Sequence, residues 1–238
     1  MKLLGFSAYL STLFLNHRKH QGSKRTVPVL PPCFRKGNCV ACFQYGEKEI
    51  NYLKKRDKKL GKIIDEIGFI QRATNPDIFA ALIESIISQQ VSKQAAQTVY
   101  NRLVHLTGSL SAETIAALGI DDIKQCGISL RKAGYIKGIA DAALAGEVDF
   151  AKLAALSDEE IIRQLTRLKG VGVWTVEMLL IFSLQRPDVV SFGDLGIRRG
   201  MMKLYGLPDL SRDTFQQYRS CYSPFGSVAS LYLWAVSK

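Results

Sequence analysis

The sequence lacks long apolar runs, an even set of cysteines and, in its first 43 residues, any acidic side chain. The apolar stretch from Leu3 to Leu15 is too short to span a bilayer as a helix, so we expect no membrane-spanning segment. Five cysteines are an odd number, which argues against a secreted disulfide scaffold and fits a reducing cytoplasm. Alternation of apolar and polar residues is almost missing, which argues against a β-rich fold.

Three of the cysteines are clustered near the N-terminus. Cys33, Cys39 and Cys42 have a spacing loosely like that of a metal cluster. A fourth ligand is missing nearby unless His17 or His20 is recruited. We therefore expect no metal, and the sequence gives these cysteines no other role.

The formal net charge of +11 suggests a nucleic-acid partner, but the charge is unevenly distributed. Seven of the 32 basic residues lie in 1–43, which leaves 25 basic and 21 acidic residues in 44–238. We interpret 1–43 as a basic, poorly ordered N-terminal tail or a misassigned start, with the globular chain beginning near Tyr45. The globular part is only mildly basic, so a DNA partner has to be argued from motifs.

Apolar residues recur at helical spacing through most of 45–238, which predicts an all-α fold with short loops. A basic amphipathic stretch over 47–67 is followed, after Asp77, by a broadly apolar helix that reaches about Val91. Further helices are predicted at 93–106, 111–118, 120–126, 130–145, 157–168, 173–184, 195–204, 211–219 and 224–236.

A glycine hairpin opens one of these helices. Gly170 and Gly172 flank Val171 just before the predicted helix start at Val173. Glycines leave backbone N–H groups uncovered, and a helix N-terminus favours an anion. The hairpin is therefore suited to binding a phosphate. The ordinary alternative is a packing turn without a ligand.

An isolated acid follows the hairpin. Asp194 lies twenty residues beyond Trp174, after an almost uncharged segment, and it precedes another predicted helix. A carboxylate in this place is a candidate catalytic group. It is equally suited to capping the helix, which is the commoner use of such a residue.

Taken together, the hairpin and the acid at this spacing resemble the signature of the helix-hairpin-helix-GPD superfamily of DNA glycosylases. The resemblance covers 45–238 and rests on ESIISQQVS, GISLRKAGYIKGIADAAL, the hairpin-to-Asp194 segment and YSPFGSVASLYLW. It is strongest to the alkylation-repair branch, DNA-3-methyladenine glycosylase II. It implies two helical subdomains, about 75–193 and 45–74 plus 195–238, with an active cleft between them.

The resemblance also implies roles for individual residues. Asp194 would serve the excision chemistry, and Gln90, or alternatively Gln89, would fill the gap left by a flipped base. The residues implied to line the base pocket are Trp174, Met178, Tyr222 and Phe225, of which Met178 and Phe225 are as readily explained as core. The residues implied to contact DNA are Lys169, Gly170, Val171, Gly172, Arg131 and Arg198, with Lys132, Tyr135 and Arg199 as further candidates.

Residue 174 sets the reaction type within this resemblance. Members that also cut the DNA strand carry a lysine there, whose amine attacks the sugar, whereas a tryptophan cannot attack carbon. The sequence therefore predicts a monofunctional enzyme that uses water. Departures from the family pattern are Lys169, Val173 and Gly226, the last at a position where relatives often have arginine.

The sequence thus predicts a monofunctional DNA glycosylase that removes alkylated, 3-methyladenine-like bases. The alternatives are a glycosylase for oxidised or deaminated bases on the same scaffold and a non-catalytic DNA-binding module. We expect damaged double-stranded DNA as the partner, a monomer, a cytoplasmic location with the DNA, and no cofactor beyond a monovalent cation that relatives hold at the hairpin.

Overall fold

The computed structural model describes residues 33–35 and 38–238 and is almost entirely helical. This confirms the predicted all-α class. The described helices are α1 (Glu47–Arg56), α2 (Lys58–Ile67), α3 (Ile78–Ser88), α4 (Lys93–Thr107), α5 (Ala112–Ala116), α6 (Ile120–Gln125), α7 (Leu130–Leu144), α8 (Asp158–Leu165), α9 (Val173–Phe182), α10 (Leu195–Tyr205), α11 (Arg212–Tyr222) and α12 (Gly226–Val236).

The chain forms two compact units. The central unit is Asn75–Leu184, and the terminal unit combines the described residues up to Thr74 with Gln185–Lys238. None of the described helices is long and apolar enough to cross a membrane.

The central unit is built around α3. Asp77 caps this helix by accepting a hydrogen bond from the backbone N–H of Ala80 at 2.9 Å. Apolar side chains on α3 are buried against α4, α7 and α9. Because α9 is itself apolar on nearly every side, it lies in the interior of the unit, and its first turn carries the hairpin.

The terminal unit is built around α12. Every residue from Gly226 to Trp234 is buried, as expected for a helix with no polar face. Gly200 of α10 allows the two helices to approach closely, since a Cβ there would lie 2.0 Å from the carbonyl oxygen of Leu233. The close contact between α10 and α12 places the start of α10, and with it Asp194, against the interior.

The stretch over 47–67 is two helices instead of one amphipathic run. The chain leaves helical geometry at Asp57, which has φ −137° and caps α2 by accepting a hydrogen bond from Leu60 N at 2.9 Å. The apolar spacing is similar on both sides of the break, so periodicity alone does not reveal it. The capping aspartate is the sequence signal for the second helix start.

Residues 41–43 belong to the fold, although the sequence places the globular start near Tyr45. Phe43 is buried and donates its backbone N–H to Arg72 O, and Thr74 N donates to Ala41 O, both at 2.8 Å. Cys42, between them, is disulfide-bonded, which the expectation of a reducing compartment did not include. Three residues of extended backbone are too few to show a periodic pattern.

Upstream of residue 41, a short ribbon is described, in which β1 (Cys33–Arg35) pairs antiparallel with β2 (Asn38–Val40). The rest of the predicted tail lies outside the described residues. Cys126 and Cys221 are free thiols.

Replacing Gly200 with alanine is expected to destabilise the protein by about 1–3 kcal/mol or more, because the new methyl group would overlap backbone that cannot move aside. Gly138→Ala is the matched control. Gly138 lies inside α7 with nothing within 4 Å of the added Cβ, so alanine should there stabilise the helix by up to about 1 kcal/mol. Thermal unfolding followed by circular dichroism measures both. Equal melting temperatures would contradict the close approach of α10 and α12.

Candidate active site

Asp194 is both the N-cap of α10 and a deeply buried carboxylate. Its side chain is 1% exposed, while the preceding Gly193 is exposed. Oδ1 accepts a hydrogen bond from the backbone N–H of Ile197 at 2.8 Å. The helix N-terminus also favours a negative charge at this position. Capping and catalysis were alternatives at the sequence level, but the geometry makes them compatible, since the cap fixes the carboxylate in place.

A second donor holds the same oxygen. The indole Nε1–H of Trp234, on α12, donates to Asp194 Oδ1 at 2.9 Å, and the tryptophan is 2% exposed. Two N–H groups from different helices therefore converge on one carboxylate oxygen. Trp234 was missed by the sequence reasoning because forty residues separate it from Asp194, and its sequence context reads simply as a core helix.

The segment that leads to Asp194 is fixed by two buried serines of α12. Ser227 Oγ accepts a hydrogen bond from Val189 N at 2.9 Å and donates one to Arg186 O at 2.5 Å. Ser230 Oγ donates to Val189 O at 2.9 Å. These bonds satisfy the backbone of a segment that forms no helix, so it approaches Asp194 in a defined conformation.

Asp188 adds a further attachment to the start of α12. Its carboxylate accepts hydrogen bonds from Ser223 Oγ at 2.6 Å and from Gly226 N at 3.0 Å. A Cβ at Gly226 would lie 2.6 Å from Asp188 Oδ1 and 2.7 Å from Val190 Cγ2. The glycine at this departure from the family pattern is therefore required by the packing, and an arginine would not fit here.

Tyr222, predicted to line the base pocket, is instead a core residue of the terminal unit. It is completely buried, and its hydroxyl shares a 2.6 Å hydrogen bond with that of Tyr205, which in turn donates to Asp57. Burial raises the pKa of Tyr222 well above its usual value. The buried hydroxyl chain explains why a tyrosine is suitable at this position without reference to a substrate.

Phe225 is half-buried in the same unit. Its ring meets that of Tyr52 edge-on at 5.2 Å, and Lys48 Nζ lies 5.8 Å from its centroid. The remaining two base-pocket candidates belong to α9 in the central unit, where Met178 is buried and Trp174 is half-buried in the first turn. The packing favours the core interpretation for Met178 and leaves Trp174 and Phe225 as the accessible aromatic candidates.

The hairpin in the central unit connects α8 with α9 and is a helix-hairpin-helix motif. Gly170 has φ +87°, and a Cβ there would lie 2.3 Å from Tyr135 Cδ2. This position thus requires glycine twice, for its backbone angle and for the ring of Tyr135 that packs against it. Tyr135, considered as a cleft residue, supports the hairpin.

The hairpin leaves part of its backbone without partners. Gly172 is the N-cap of α9 and has no side chain with which to cap it. The N–H groups of Gly170 and Gly172 donate to no group in the described part of the chain, whereas Val171 N donates to Leu168 O at 3.1 Å and its side chain is buried. Of the three hairpin N–H groups expected to face a phosphate, that of Val171 is therefore already used.

The turn between α3 and α4 separates the two wedge candidates. Gln89 is tied down, because its Nε2 donates to Gly170 O at 3.0 Å. Gln90 is exposed and has φ +60°, a left-handed backbone conformation that is uncommon for a residue with a side chain. The geometry favours Gln90 as the residue free to enter DNA, with Gln89 linking the turn to the hairpin.

Lys132 supports the same turn. Its Nζ donates to the carbonyl oxygens of Ile87 at 2.8 Å and Gln89, at the C-terminal end of α3. Desolvation, followed by the neighbouring Arg131, lowers the pKa of Lys132. This lysine, a further candidate for DNA contact, therefore stabilises the end of a helix, while Arg131 and Lys169 are exposed.

The monovalent cation at the hairpin stays a prediction. The oxygens of Leu168 and Gly170 already accept hydrogen bonds from Val171 N and Gln89 Nε2. Each of these oxygens has a second lone pair, so the two hydrogen bonds still leave an acceptor for a cation. In the described part of the chain, no group of three or more histidine, cysteine or acidic side chains is arranged to hold a metal ion.

The structure therefore combines an all-α fold, a helix-hairpin-helix motif with free backbone donors, and a buried carboxylate held by two N–H groups. Comparison with known proteins identifies the class. A family model described as HhH-GPD superfamily base excision DNA repair protein matches residues 83–222. The chain belongs to this superfamily, which confirms the resemblance found in its sequence.

Individual relatives agree with this assignment. The chain is 33% identical over 208 residues to DNA-3-methyladenine glycosylase 1 of Schizosaccharomyces pombe, covering 85% of this chain and 91% of that protein. A DNA-3-methyladenine glycosidase from Bacillus halodurans superimposes with a TM-score of 0.75 at 33% identity, over 83% and 93% of the two chains. The S. pombe 3-methyladenine DNA glycosylase bound to abasic DNA gives 0.69 at 33% identity, over 79% and 95%.

The two hairpin glycines should respond differently to alanine. Gly172→Ala places its Cβ in open space, so the melting temperature should stay unchanged while binding to duplex DNA weakens by roughly tenfold, the worth of one hydrogen bond to a charged group. Gly170→Ala should lower the melting temperature as well, because of Tyr135. Fluorescence anisotropy and thermal unfolding measure the two effects. If Gly172→Ala binds DNA as the wild type does, the hairpin does not contact the backbone.

Proposed function

We propose that this protein is a monofunctional DNA glycosylase that hydrolyses the N-glycosidic bond of alkylated, 3-methyladenine-like bases and leaves an abasic site. The observation that carries the proposal is the buried Asp194 carboxylate, held by Ile197 and Trp234 in a chain of the HhH-GPD superfamily. Relatives named 3-methyladenine DNA glycosylase match this chain over most of their length, and one of them is solved with abasic DNA. These matches support the substrate class.

The carboxylate acts on the sugar. As the base departs, positive charge develops at the sugar carbon, and a fixed anion lowers the energy of that state. Asp194 also orients or deprotonates the water that attacks this carbon. Because its Oδ1 accepts two hydrogen bonds before any substrate arrives, the carboxylate need not reorganise during the reaction.

An alkylated base needs little help to leave. Methylation at a ring nitrogen gives the base a positive charge, so no strong general acid is required. The same charge is attracted to an aromatic face by about 0.5–2 kcal/mol. Trp174 and Phe225, the half-buried aromatic candidates, are suited to this contact. Neither they nor Met178 supplies an amine, so we infer that the DNA strand stays intact.

Damaged double-stranded DNA is the inferred partner of a monomer that works in the compartment holding the DNA. The hairpin of the central unit would bind backbone phosphate through the N–H groups of Gly170 and Gly172, with exposed Lys169 and Arg131 adding charge. Gln90 would fill the space of the extruded nucleotide. No step of the proposed reaction depends on a metal or a monovalent cation.

Two alternative functions differ from the proposal in whether a base is released and in which base it is. A glycosylase for oxidised or deaminated bases would use Asp194 in the same way and differ in the bases it releases. A non-catalytic DNA-binding module would need the hairpin but not the paired donors on Asp194. The buried carboxylate with its two N–H donors favours the enzyme.

Asp194→Asn is expected to reduce excision by several orders of magnitude without loss of DNA binding. Asparagine keeps an oxygen that can accept from Ile197 and Trp234, so the fold and the cap are retained while the charge is lost. Single-turnover release of 3-methyladenine and affinity for abasic duplex measure the two properties. An unchanged excision rate would remove Asp194 from the mechanism.

Trp234→Phe tests the positioning of the carboxylate. The ring remains apolar and aromatic, but the N–H donor to Asp194 Oδ1 is lost. We expect the single-turnover rate to fall by about tenfold to a hundredfold, since a hydrogen bond to a charged group contributes about 1.5–3 kcal/mol. Affinity for abasic duplex should stay within twofold. A parallel loss of rate and affinity would indicate a merely structural role.

A further inference from the structure

Two arginines of the terminal unit share one aromatic ring. The guanidinium carbon of Arg198 lies 5.0 Å from the centroid of Phe192, and that of Arg212 lies 4.8 Å from the same centroid. The ring itself is fixed, because it meets the buried Phe215 edge-on at 5.1 Å. The cluster of Phe192, Arg198 and Arg212, called here the arginine–phenylalanine cluster, comes from three separate points of the sequence around Asp194.

The cluster carries two positive charges. The ion pairs of the described residues include neither arginine. Nε of Arg198 is buried without a hydrogen-bond acceptor. The attraction of each guanidinium to the ring contributes about 0.5–2 kcal/mol. It offsets only part of the cost of leaving a buried N–H without an acceptor. The buried, unsatisfied Nε–H of Arg198 and an exposed Arg212 without an ion pair, both on one ring, indicate a place where an anion would bind.

The position of Arg212 adds to the imbalance. It is the first residue of α11, where the helix dipole disfavours a positive side chain. Asp213, the next residue of this turn, is acidic, but no ion pair joins it to Arg212. An arginine is therefore held at the least favourable end of a helix, next to a second arginine. Guanidinium groups bind phosphate through paired N–H donors, which a lysine cannot reproduce.

We propose that the arginine–phenylalanine cluster binds phosphodiester groups of the DNA backbone, in addition to the site proposed at the hairpin. The proposal rests on the proposed function, since it takes DNA as the ligand. Phe192 orients the two guanidinium groups, and Arg198 and Arg212 bind the phosphates. Phe192 and Arg198 lie two and four residues from Asp194 along the chain. The site would therefore hold the backbone near the nucleotide on which the carboxylate acts.

The test is the salt dependence of binding to an undamaged duplex by the full chain. Each lost phosphate contact lowers the slope of log K against log salt by about 0.9. Arg212→Gln and Arg198→Gln should each show this change. The same slope corresponds to an affinity loss of about eightfold at 0.1 M salt and almost none at 1 M. Fluorescence anisotropy over a salt titration measures both quantities.

Two further variants make the result specific. Arg102→Gln removes an exposed arginine from α4 of the central unit and should leave the slope as in the wild type. Arg212→Lys keeps the charge, so its slope should also stay near that of the wild type, with some loss of affinity from the lost paired donors. Melting temperatures identify any variant whose fold is altered. If one of the two glutamine variants is altered, the other, at an independent position of the cluster, carries the test.

The outcomes separate this proposal from the proposed function. If Arg198→Gln and Arg212→Gln both bind like Arg102→Gln at every salt concentration, the cluster does not contact DNA and the proposal is wrong. A wild type that binds DNA but releases no base would refute the proposed activity and leave the salt measurement standing.

Discussion

The hydrogen bond from Trp234 to Asp194 is the contact on which the candidate site depends. It joins α12, the buried helix of the terminal unit, to the acid that directly follows the uncharged stretch 189–193, and both partners are buried. The bond is possible because Gly200 lets α10 and α12 approach closely and because Ser227 and Ser230 fix the backbone before Asp194. A charged group is thus held in a desolvated place by fixed donors, which is the condition for electrostatic catalysis.

The hairpin follows the opposite principle. The Asp194 carboxylate accepts hydrogen bonds from two N–H groups. At the start of α9, backbone N–H groups have no acceptor in the described part of the chain, because the capping residue is a glycine without a side chain. Three side chains support this arrangement. Tyr135 packs against Gly170, Gln89 donates a hydrogen bond to Gly170 O, and Lys132 donates one to Gln89 O in the adjacent turn. The central unit therefore has unused backbone donors that suit an anion, and the terminal unit has a carboxylate held in a fixed place.

Local features were predictable from the sequence, and long-range ones were not. Gly170 and Asp194 were identified because a turn glycine and a capping acid are recognisable from the few residues around them. Trp234 was missed because its partner lies forty residues away in sequence. Tyr222 was assigned to the base pocket from the resemblance alone, which does not reveal its buried hydrogen bond with Tyr205. The break at Asp57 shows the same limit, since helical spacing continues across it.

The most direct test of the account is base release from methylated duplex DNA, with analysis of the freed bases and of strand integrity without added alkali. We expect 3-methyladenine to be released while the strands remain intact, as hydrolysis by water beside Asp194 requires. Release of only oxidised or deaminated bases from other substrates would contradict the proposed specificity. Strand cleavage by the protein itself would contradict the account of Trp174 and require an amine nucleophile.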